Sequence, residues 1–126
     1  MRVVFGTGSL RQLPQKASVW GCGGSWCRPP RTAALLGETY AGLFAEARMH
    51  VPVDLAEAAR AAAREVGADG CPAIGGDSTI AMPLTTGLPV ISVPTTYAGS
   101  EMTPVRGLTD NGRKRAVLPR GVVYDP

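Results

Sequence analysis

The sequence predicts an α/β fold, a Rossmann-like parallel sheet, and three segments lead to that prediction. Residues 55–66 carry apolar side chains at three- and four-residue spacing, the period of an amphipathic helix. Two short apolar runs follow at 71–74 and 88–93, ended by a glycine and by a proline. Strands that alternate with helices are typical of βαβ units and a parallel sheet. A chain of 126 residues is long enough for one such domain.

The predicted helix has a signal at each end. Asp54 can accept hydrogen bonds from the first helical N–H groups, and Glu57 follows three residues later, as in a capping box. Gly67 can adopt the left-handed conformation that commonly ends a helix. The small side chains of the helix suit close packing on a sheet.

Shorter elements are predicted before this helix. Residues 3–5 form a β-branched and aromatic run that a glycine-rich turn ends. Ser9 can cap a helical turn over residues 10–13, which Pro14 is expected to end.

The other segments give weaker signals. Residues 32–36 and 40–44 carry apolar side chains suited to a helix and a strand. Residues 117–118 and 121–124 are short apolar pieces suited to strands. Residues 19–30 contain glycines, prolines, cysteines and tryptophans without a period, so a loop is predicted there.

Composition excludes several classes of protein. The chain has 16 Gly and 11 Pro, but 44% of its residues are apolar, unlike those of a disordered chain. No apolar run approaches the roughly 18 residues of a membrane helix. The net charge of +3 comes from scattered basic residues, so we expect neither a nucleic-acid nor a membrane partner. The N-terminus carries no secretory signal, so we expect a cytoplasmic location.

The cysteines and the single histidine do not indicate a metal site. Cys22 and Cys27 lack the second pair of ligands that zinc sites require. Together with Cys71 they make an odd number, which argues against a disulfide framework. His50 has no histidine partner, so a surface or packing role is the simpler interpretation.

Two glycine- and hydroxyl-rich segments are the candidates for chemistry. In residues 75–79, Gly-Gly-Asp-Ser-Thr, the glycines permit close approach of a ligand, and the next helix can attract phosphate. A plain tight turn is the alternative, since the segment is neither the GxGxxG fingerprint nor a Walker loop with its lysine. The second segment, residues 93–104, also follows a buried strand directly, at the sheet edge where α/β proteins bind ligands. A capped turn is the alternative there.

Taken together, these segments resemble the iron-containing alcohol dehydrogenase superfamily, and within it the maleylacetate reductases. The resemblance lies in Gly-Gly-Asp-Ser-Thr at 75–79 and in Gly-Leu-Pro-Val-Ile-Ser-Val-Pro-Thr-Thr-Tyr-Ala-Gly-Ser-Glu-Met-Thr-Pro at 87–104. Residues 2–8, 49–53 and 117–126 also agree with the family pattern.

The resemblance implies an activity and a domain plan. Such enzymes reduce maleylacetate to 3-oxoadipate with NADH or NADPH, in the breakdown of aromatic compounds. Residues 1–126 would be a truncated N-terminal nucleotide-binding domain of a two-domain dehydrogenase. The helical domain, which holds the Asp and His ligands of the metal, would lie beyond Pro126, so this chain would have no metal ligands. The implied partner is a small-molecule substrate resembling maleylacetate, and a complete protein could form a homodimer.

The resemblance also implies a set of cofactor-binding residues but no identifiable catalytic residue. The glycine turn would hold the pyrophosphate, and three hydroxyls of the second segment would line the cofactor or substrate cleft. Lys114 would lie near the ribose, where a cation suits the phosphates, with a surface lysine as the alternative. Asp77 replaces a family glycine, and its carboxylate would repel a pyrophosphate. The set is Gly75, Gly76, Asp77, Ser78, Thr95, Thr96, Ser100 and Lys114.

Departures from the family pattern indicate internal shortening. The crossover that contains Pro83 has room for only about two helical turns. Pro72 lacks an N–H group in what should be a central strand. Residues 19–30 replace a strand and the start of a helix, and a further shortening is expected between Arg115 and Ala116. The alternative function is therefore a non-catalytic remnant with weak or no nucleotide binding.

Overall fold

The computed structural model describes residues 1–19, 25–26, 34–46, 53–84, 86–96, 99, 101–103, 105–110 and 113–126. The strands in these ranges are β1 (Arg2–Phe5), β2 (Ser25–Trp26), β3 (Tyr40–Gly42), β4 (Cys71–Gly75), β5 (Val90–Pro94), β6 (Val105–Asp110), β7 (Arg113–Val117) and β8 (Gly121–Tyr124). The helices are α1 (Leu13–Val19), α2 (Val53–Glu65) and α3 (Asp77–Leu84), and 3-10 turns cover Ser9–Gln12 and Gly37–Thr39.

Four parallel strands form the central sheet, in the spatial order β1, β8, β5, β4. Val3 of β1 lies opposite Val122 of β8, and Ile91 of β5 lies opposite Gly121. Two smaller ladders join β2 with β3 in parallel and β6 with β7 in antiparallel orientation. The parallel central sheet with its helices confirms the predicted fold class.

Apolar side chains cover both faces of the central sheet. Successive residues of a strand point to opposite faces, so Ile91 and Val93 of β5 face one side and Val90 faces the other. Leu13 of α1 belongs to the first cluster, whereas side chains of α2 and α3 form much of the second. No helix in the described part of the chain is long and apolar enough to cross a membrane. The two clusters are Leu13, Leu36, Ile91, Val93 and Val123, and Ala59, Ala63, Cys71, Ala73, Ile80, Leu84 and Val90.

Helix α2 ends as its sequence predicts. Gly67 has the left-handed φ of 62°. The Ala68 N–H donates to the Ala63 carbonyl at 2.9 Å, and the Gly67 N–H donates to the Arg64 carbonyl at 3.1 Å. This pair of bonds is the Schellman arrangement, which satisfies carbonyl groups that the last helical turn leaves free.

Two predictions about how helices begin and end were wrong. Asp54 lies inside the first turn of α2, which begins at Val53, so it is not the residue that precedes the helix. Its negative charge is still favourable there, because the helix N-terminus carries a partial positive charge. Pro14 is the second residue of α1 and does not end a helix. Proline is tolerated in a first turn, where its missing N–H has no helical partner to lose.

Part of the segment predicted to be a loop is a strand. Ser25 pairs with Tyr40, and Trp26 pairs with Gly42, with an irregular register between the two pairs. The loop prediction for 19–30 was therefore wrong at these two residues, and also at Val19, the last residue of α1. These residues form a strand because a partner strand supplies backbone hydrogen bonds, and the local sequence shows no alternation of side chains that would predict it.

Pro72 occupies a tolerated position in β4. Among the described strands β4 pairs only with β5, so the prediction that β4 is a central strand stays a prediction. The Cys71 N–H donates to the Pro89 carbonyl at 2.9 Å. Because backbone donors alternate along a strand, the nitrogen of Pro72 points away from β5, and its missing hydrogen removes no bond to that strand.

Helix α3 has the predicted length of about two turns, with eight residues from Asp77 to Leu84. Pro83 lies next to its last residue, so the break in the helical ladder falls where the helix ends. The Thr86 backbone N–H and hydroxyl both donate to the Pro83 carbonyl, at 3.0 and 2.6 Å. These bonds close the turn that leads into β5.

The antiparallel hairpin of β6 and β7 was not predicted, apart from Val117 at its end. Val105 lies opposite Val117, and Asp110 lies opposite Arg113. Charged residues are uncommon in strands, so the composition of this segment favoured a loop. Strand β7 runs through Arg115 without interruption.

Candidate functional site

The two candidate segments meet at one edge of the central sheet. Strands β4 and β5 are neighbours and parallel, so their carboxyl ends lie side by side. The Thr95 N–H donates to the Gly75 carbonyl at 3.0 Å. A Cβ atom placed on Gly76 would lie 3.3 Å from the Thr96 hydroxyl oxygen. The glycine turn after β4 and the threonines after β5 therefore form one continuous surface.

Only a glycine fits at the first position of the turn. Gly75 has a φ of 148°, a conformation that L side chains rarely adopt. A Cβ atom there would lie 2.7 Å from the hydroxyl oxygen and 2.9 Å from the Cβ of Thr79. The turn is thus drawn tightly against the first turn of α3.

The start of α3 supplies hydrogen-bond donors at the same edge. The Thr79 and Ile80 N–H groups donate to the Gly76 carbonyl at 3.0 and 3.1 Å, which closes the first helical turn. The N–H groups that precede them have no partner within a helix. Helix N-termini bind anions through such donors and through the helix dipole. Thr95 and Thr96 are exposed beside this helix start, so their hydroxyls can reach a ligand.

Four of the eight predicted residues are brought together with their surroundings described: Gly75, Gly76, Thr95 and Thr96. Asp77 and Ser78 are the first residues of α3, but the description of the structure does not extend to their side chains. The same holds for the side chain of Lys114, whose backbone belongs to β7. Ser100 lies outside the described residues. The cofactor-binding roles assigned to all eight residues stay predictions.

A second glycine turn lies at the same edge, after β1, but a carboxylate of the protein occupies its donors. The Gly8 N–H donates to Oδ1 of Asp125 at 2.8 Å, and the Leu10 N–H donates to Oδ2 at 3.0 Å. These two bonds, with a smaller contribution from the charge of Arg11, lower the pKa of Asp125 against a weaker effect of burial. A phosphate group would have to compete with this carboxylate. The turn after β4 is therefore the better candidate for an anionic ligand.

Sequence reasoning missed the role of Asp125, whose only local signal is an acidic residue just after a strand.

We predict that Asp125→Ala lowers the midpoint of thermal unfolding at neutral pH, because it removes the hydrogen bonds from the Gly8 and Leu10 N–H groups. The pKa of Asp125 is lower in the folded chain, so its contribution is present above the ordinary value of 3.8. The contribution is lost as the pH falls through the lowered value. Thermal unfolding followed by circular dichroism over a pH series measures both effects.

The control for this experiment is Asp54→Ala, which removes an exposed carboxylate from the first turn of α2. We expect it to change the unfolding midpoint less than Asp125→Ala does. A difference between the Asp125→Ala variant and the parent chain that stayed constant down to strongly acidic pH would contradict the assigned role.

A buried carboxylate lies in the loop after β5 and is bonded to the end of β8. The Tyr124 hydroxyl donates to Oε1 of Glu101 at 2.6 Å, and Glu101 is only 4% exposed. Burial, and then the hydrogen bond and negative charge of Glu101, raise the pKa of Tyr124 to about 12. The Tyr124 ring also lies 5.9 Å from that of Phe5, at an angle of 53°. Sequence reasoning did not single out this pair.

No group of three or more His, Cys, Asp or Glu side chains suited to a metal ion occurs within the described ranges. The Cys71 side chain is buried in the apolar cluster on one side of the sheet. Cys22, Cys27 and His50 lie outside the described residues. The described residues therefore offer no site for the metal that the resemblance implies.

The whole chain is similar to a known family of proteins. Residues 1–126 match the family profile described as iron-containing alcohol dehydrogenase. The chain is 46% identical to maleylacetate reductase from Burkholderia cepacia over 142 residues, covering 99% of this chain and 40% of that protein. It thus spans about 40% of the length of the relatives that it matches.

Two solved structures have a closely similar backbone. Maleylacetate reductase from Rhizobium sp. strain MTP-10005 has a TM-score of 0.85 at 38% sequence identity. Maleylacetate reductase from Agrobacterium tumefaciens has a TM-score of 0.85 at 35% identity. Each comparison covers 98% of this chain and 40% of the other.

Proposed function

The chain belongs to the iron-containing alcohol dehydrogenase family, and from that premise we propose that it is the nucleotide-binding part of an NAD(P)H-dependent maleylacetate reductase. The observation that carries the proposal is the junction of Gly75 and Gly76 with Thr95 and Thr96 at the carboxyl edge of the sheet. Relatives named maleylacetate reductase, 40–46% identical, support an oxidoreductase and suggest this substrate. The proposed reaction is the reduction of maleylacetate to 3-oxoadipate.

The residues of the edge suit the pyrophosphate of a dinucleotide. Without side chains, Gly75 and Gly76 let the phosphates approach the backbone, where the first N–H groups of α3 donate to them. The hydroxyls of Thr95 and Thr96 can donate to phosphate oxygens from the adjacent strand end. The role of this chain in the reaction is to bind the dinucleotide and hold it in one orientation. When bound, NADH or NADPH supplies the hydride that reduces the substrate double bond.

We further propose that the chain is a shortened form of the nucleotide-binding domain. The alignment with the Burkholderia cepacia relative runs over 142 residues, whereas this chain has 126. That difference supports shortening inside the matched region, as does the eight-residue length of α3. The helical metal-binding domain that the resemblance implies remains a prediction about the longer relatives.

The proposal is tested by titrating the purified chain with NADH and with NADPH in a calorimeter, followed by an assay for maleylacetate-dependent NADH oxidation. We expect saturable binding of at least one of the two dinucleotides and little or no turnover by residues 1–126 alone. The absence of binding by a chain with a fixed near-UV circular dichroism signal would contradict the proposal and favour a non-catalytic remnant. Turnover at a useful rate would contradict the view that the domain is incomplete.

A substitution at the second segment tests the site more locally. We predict that Thr96→Val weakens dinucleotide binding about tenfold, because one hydrogen bond to a charged phosphate is lost. The control is Thr7→Val, which removes an exposed hydroxyl from the other glycine turn of the same edge. Calorimetry on both variants measures the effect, and equal affinities in the two variants would place the dinucleotide elsewhere.

A further inference from the structure

We propose that Tyr124 is a positioning residue, which holds Glu101 and thereby fixes the loop that presents Thr95 and Thr96 to the dinucleotide. The inference rests on the proposed function, because it assigns the loop a role in dinucleotide binding at the carboxyl edge of the central sheet. Tyr124 acts through Glu101 rather than by touching the ligand.

The hydroxyl bond joins two parts of the chain that are 23 residues apart. Tyr124 is the last residue of β8, which pairs with β5 inside the sheet, so its position is set by the sheet itself. Its ring is also in contact with Phe5 at the end of β1. The donor is therefore held by two strands, whereas Glu101 belongs to the loop that follows β5.

Glu101 lies in a compact turn, so holding its side chain holds the turn. The Met102 N–H donates to the Gly99 carbonyl at 3.1 Å, and the Thr103 hydroxyl donates to the same carbonyl at 3.4 Å. The loop is thus attached at its far end by Glu101. At its near end, the Thr95 N–H is attached to the Gly75 carbonyl at 3.0 Å. The hydroxyls of Thr95 and Thr96, which are predicted to bind the ligand, lie beside the near one of these two attachment points.

The burial of Glu101 makes its bond to Tyr124 important for the position of the loop. A carboxylate that is only 4% exposed is poorly solvated, and losing a donor leaves it with a large desolvation penalty. The least costly response is for Glu101 to move into water, and the turn from Gly99 to Thr103 would move with it. Tyr124→Phe removes the donor but keeps the ring that packs against Phe5.

The test combines dinucleotide titration with hydrogen exchange measured by NMR on the full chain. We expect Tyr124→Phe to weaken NADH binding about five- to tenfold, comparable to the loss of one hydrogen bond. The exchange of the Thr95 and Met102 amides should become faster, while that of the Ile91 amide within β5 should not change. A merely structural role would instead accelerate exchange in the sheet and the loop alike.

Two matched variants complete the test. Glu101→Gln keeps an oxygen that accepts the tyrosine hydroxyl, so it should retain most of the binding, whereas Glu101→Ala should match Tyr124→Phe. Tyr40→Phe removes a hydroxyl from a tyrosine that packs on the core, and it should leave NADH binding unchanged. Parent-like exchange at Thr95 and Met102 in Tyr124→Phe would overturn the positioning role, whether or not NADH binds. Failure of the parent chain to bind either dinucleotide would overturn the proposed function instead.

Discussion

Replacing Gly75 by alanine is expected to reduce the free energy of unfolding by about 2–5 kcal/mol, and to abolish dinucleotide binding. Two costs combine in this variant. The φ of 148° is unfavourable for any residue with a side chain, and the new methyl group would lie 2.7 Å from the Thr79 hydroxyl oxygen. The methyl group can be accommodated only if the glycine turn and α3 move apart. This movement displaces the N–H donors at the start of α3 from the proposed phosphate site.

The matched control is Gly87→Ala, in the turn that leads into β5. Gly87 also has a positive φ, 82°, but a Cβ atom there meets no heavy atom within 4 Å. This variant should lose only about 1 kcal/mol of stability and should bind the dinucleotide as the parent chain does. Urea unfolding and calorimetric titration measure the two effects. Equal losses in the two variants would show that the packing of Gly75 against Thr79 has no special importance.

Replacing Ile91 by alanine is expected to cost about 2–5 kcal/mol of stability, the range for removing a large buried aliphatic side chain. Ile91 is a fully buried residue of β5, in one cluster with Leu13 and Val123. A small domain has a total stability of about 5–15 kcal/mol, so this single change could unfold the chain. The cavity would open beneath β5, the strand that Thr95 directly follows.

The control for this variant is Val53→Ala, at the first residue of α2, where the side chain is 64% exposed. It should change the stability by about 0.5 kcal/mol or less. Cooperative urea unfolding of the parent chain, with a large loss only in Ile91→Ala, would confirm a packed core. A loss of less than about 1 kcal/mol in Ile91→Ala would mean that the core is loosely packed.

Local signals in the sequence predicted the elements on which the site is built. The periodicity of α2 and its glycine stop lie within one short segment, and so do the buried runs of β4 and β5 and the glycines that follow β4. Each such signal depends on residues that are close in sequence. The meeting of the Gly75 turn with Thr96 then follows from the rule that parallel strands bring their carboxyl ends to one edge.

The features that sequence reasoning missed depend on contacts between distant residues. Asp125 binds the N–H of Gly8 across 117 positions, and neither residue carries a sign of the other. Glu101 is one of several polar residues in its loop, and nothing in the local sequence distinguishes it as the partner of Tyr124. Strand β2 and the β6–β7 hairpin likewise depend on partner strands rather than on their own patterns. Sequence patterns therefore described the frame of the site better than the bonds that hold it.

We propose that the dinucleotide binds at the carboxyl edge of the central sheet, on the glycine turn after β4. The most direct test is to add NADH to the isotopically labelled chain and to follow its backbone amide signals by NMR. We expect saturable shifts at Gly75, Gly76, Thr95 and Thr96, with little change at Ala68, which follows the C-terminal end of α2. Shifts confined to other parts of the molecule, or none in a well-folded chain, would contradict it.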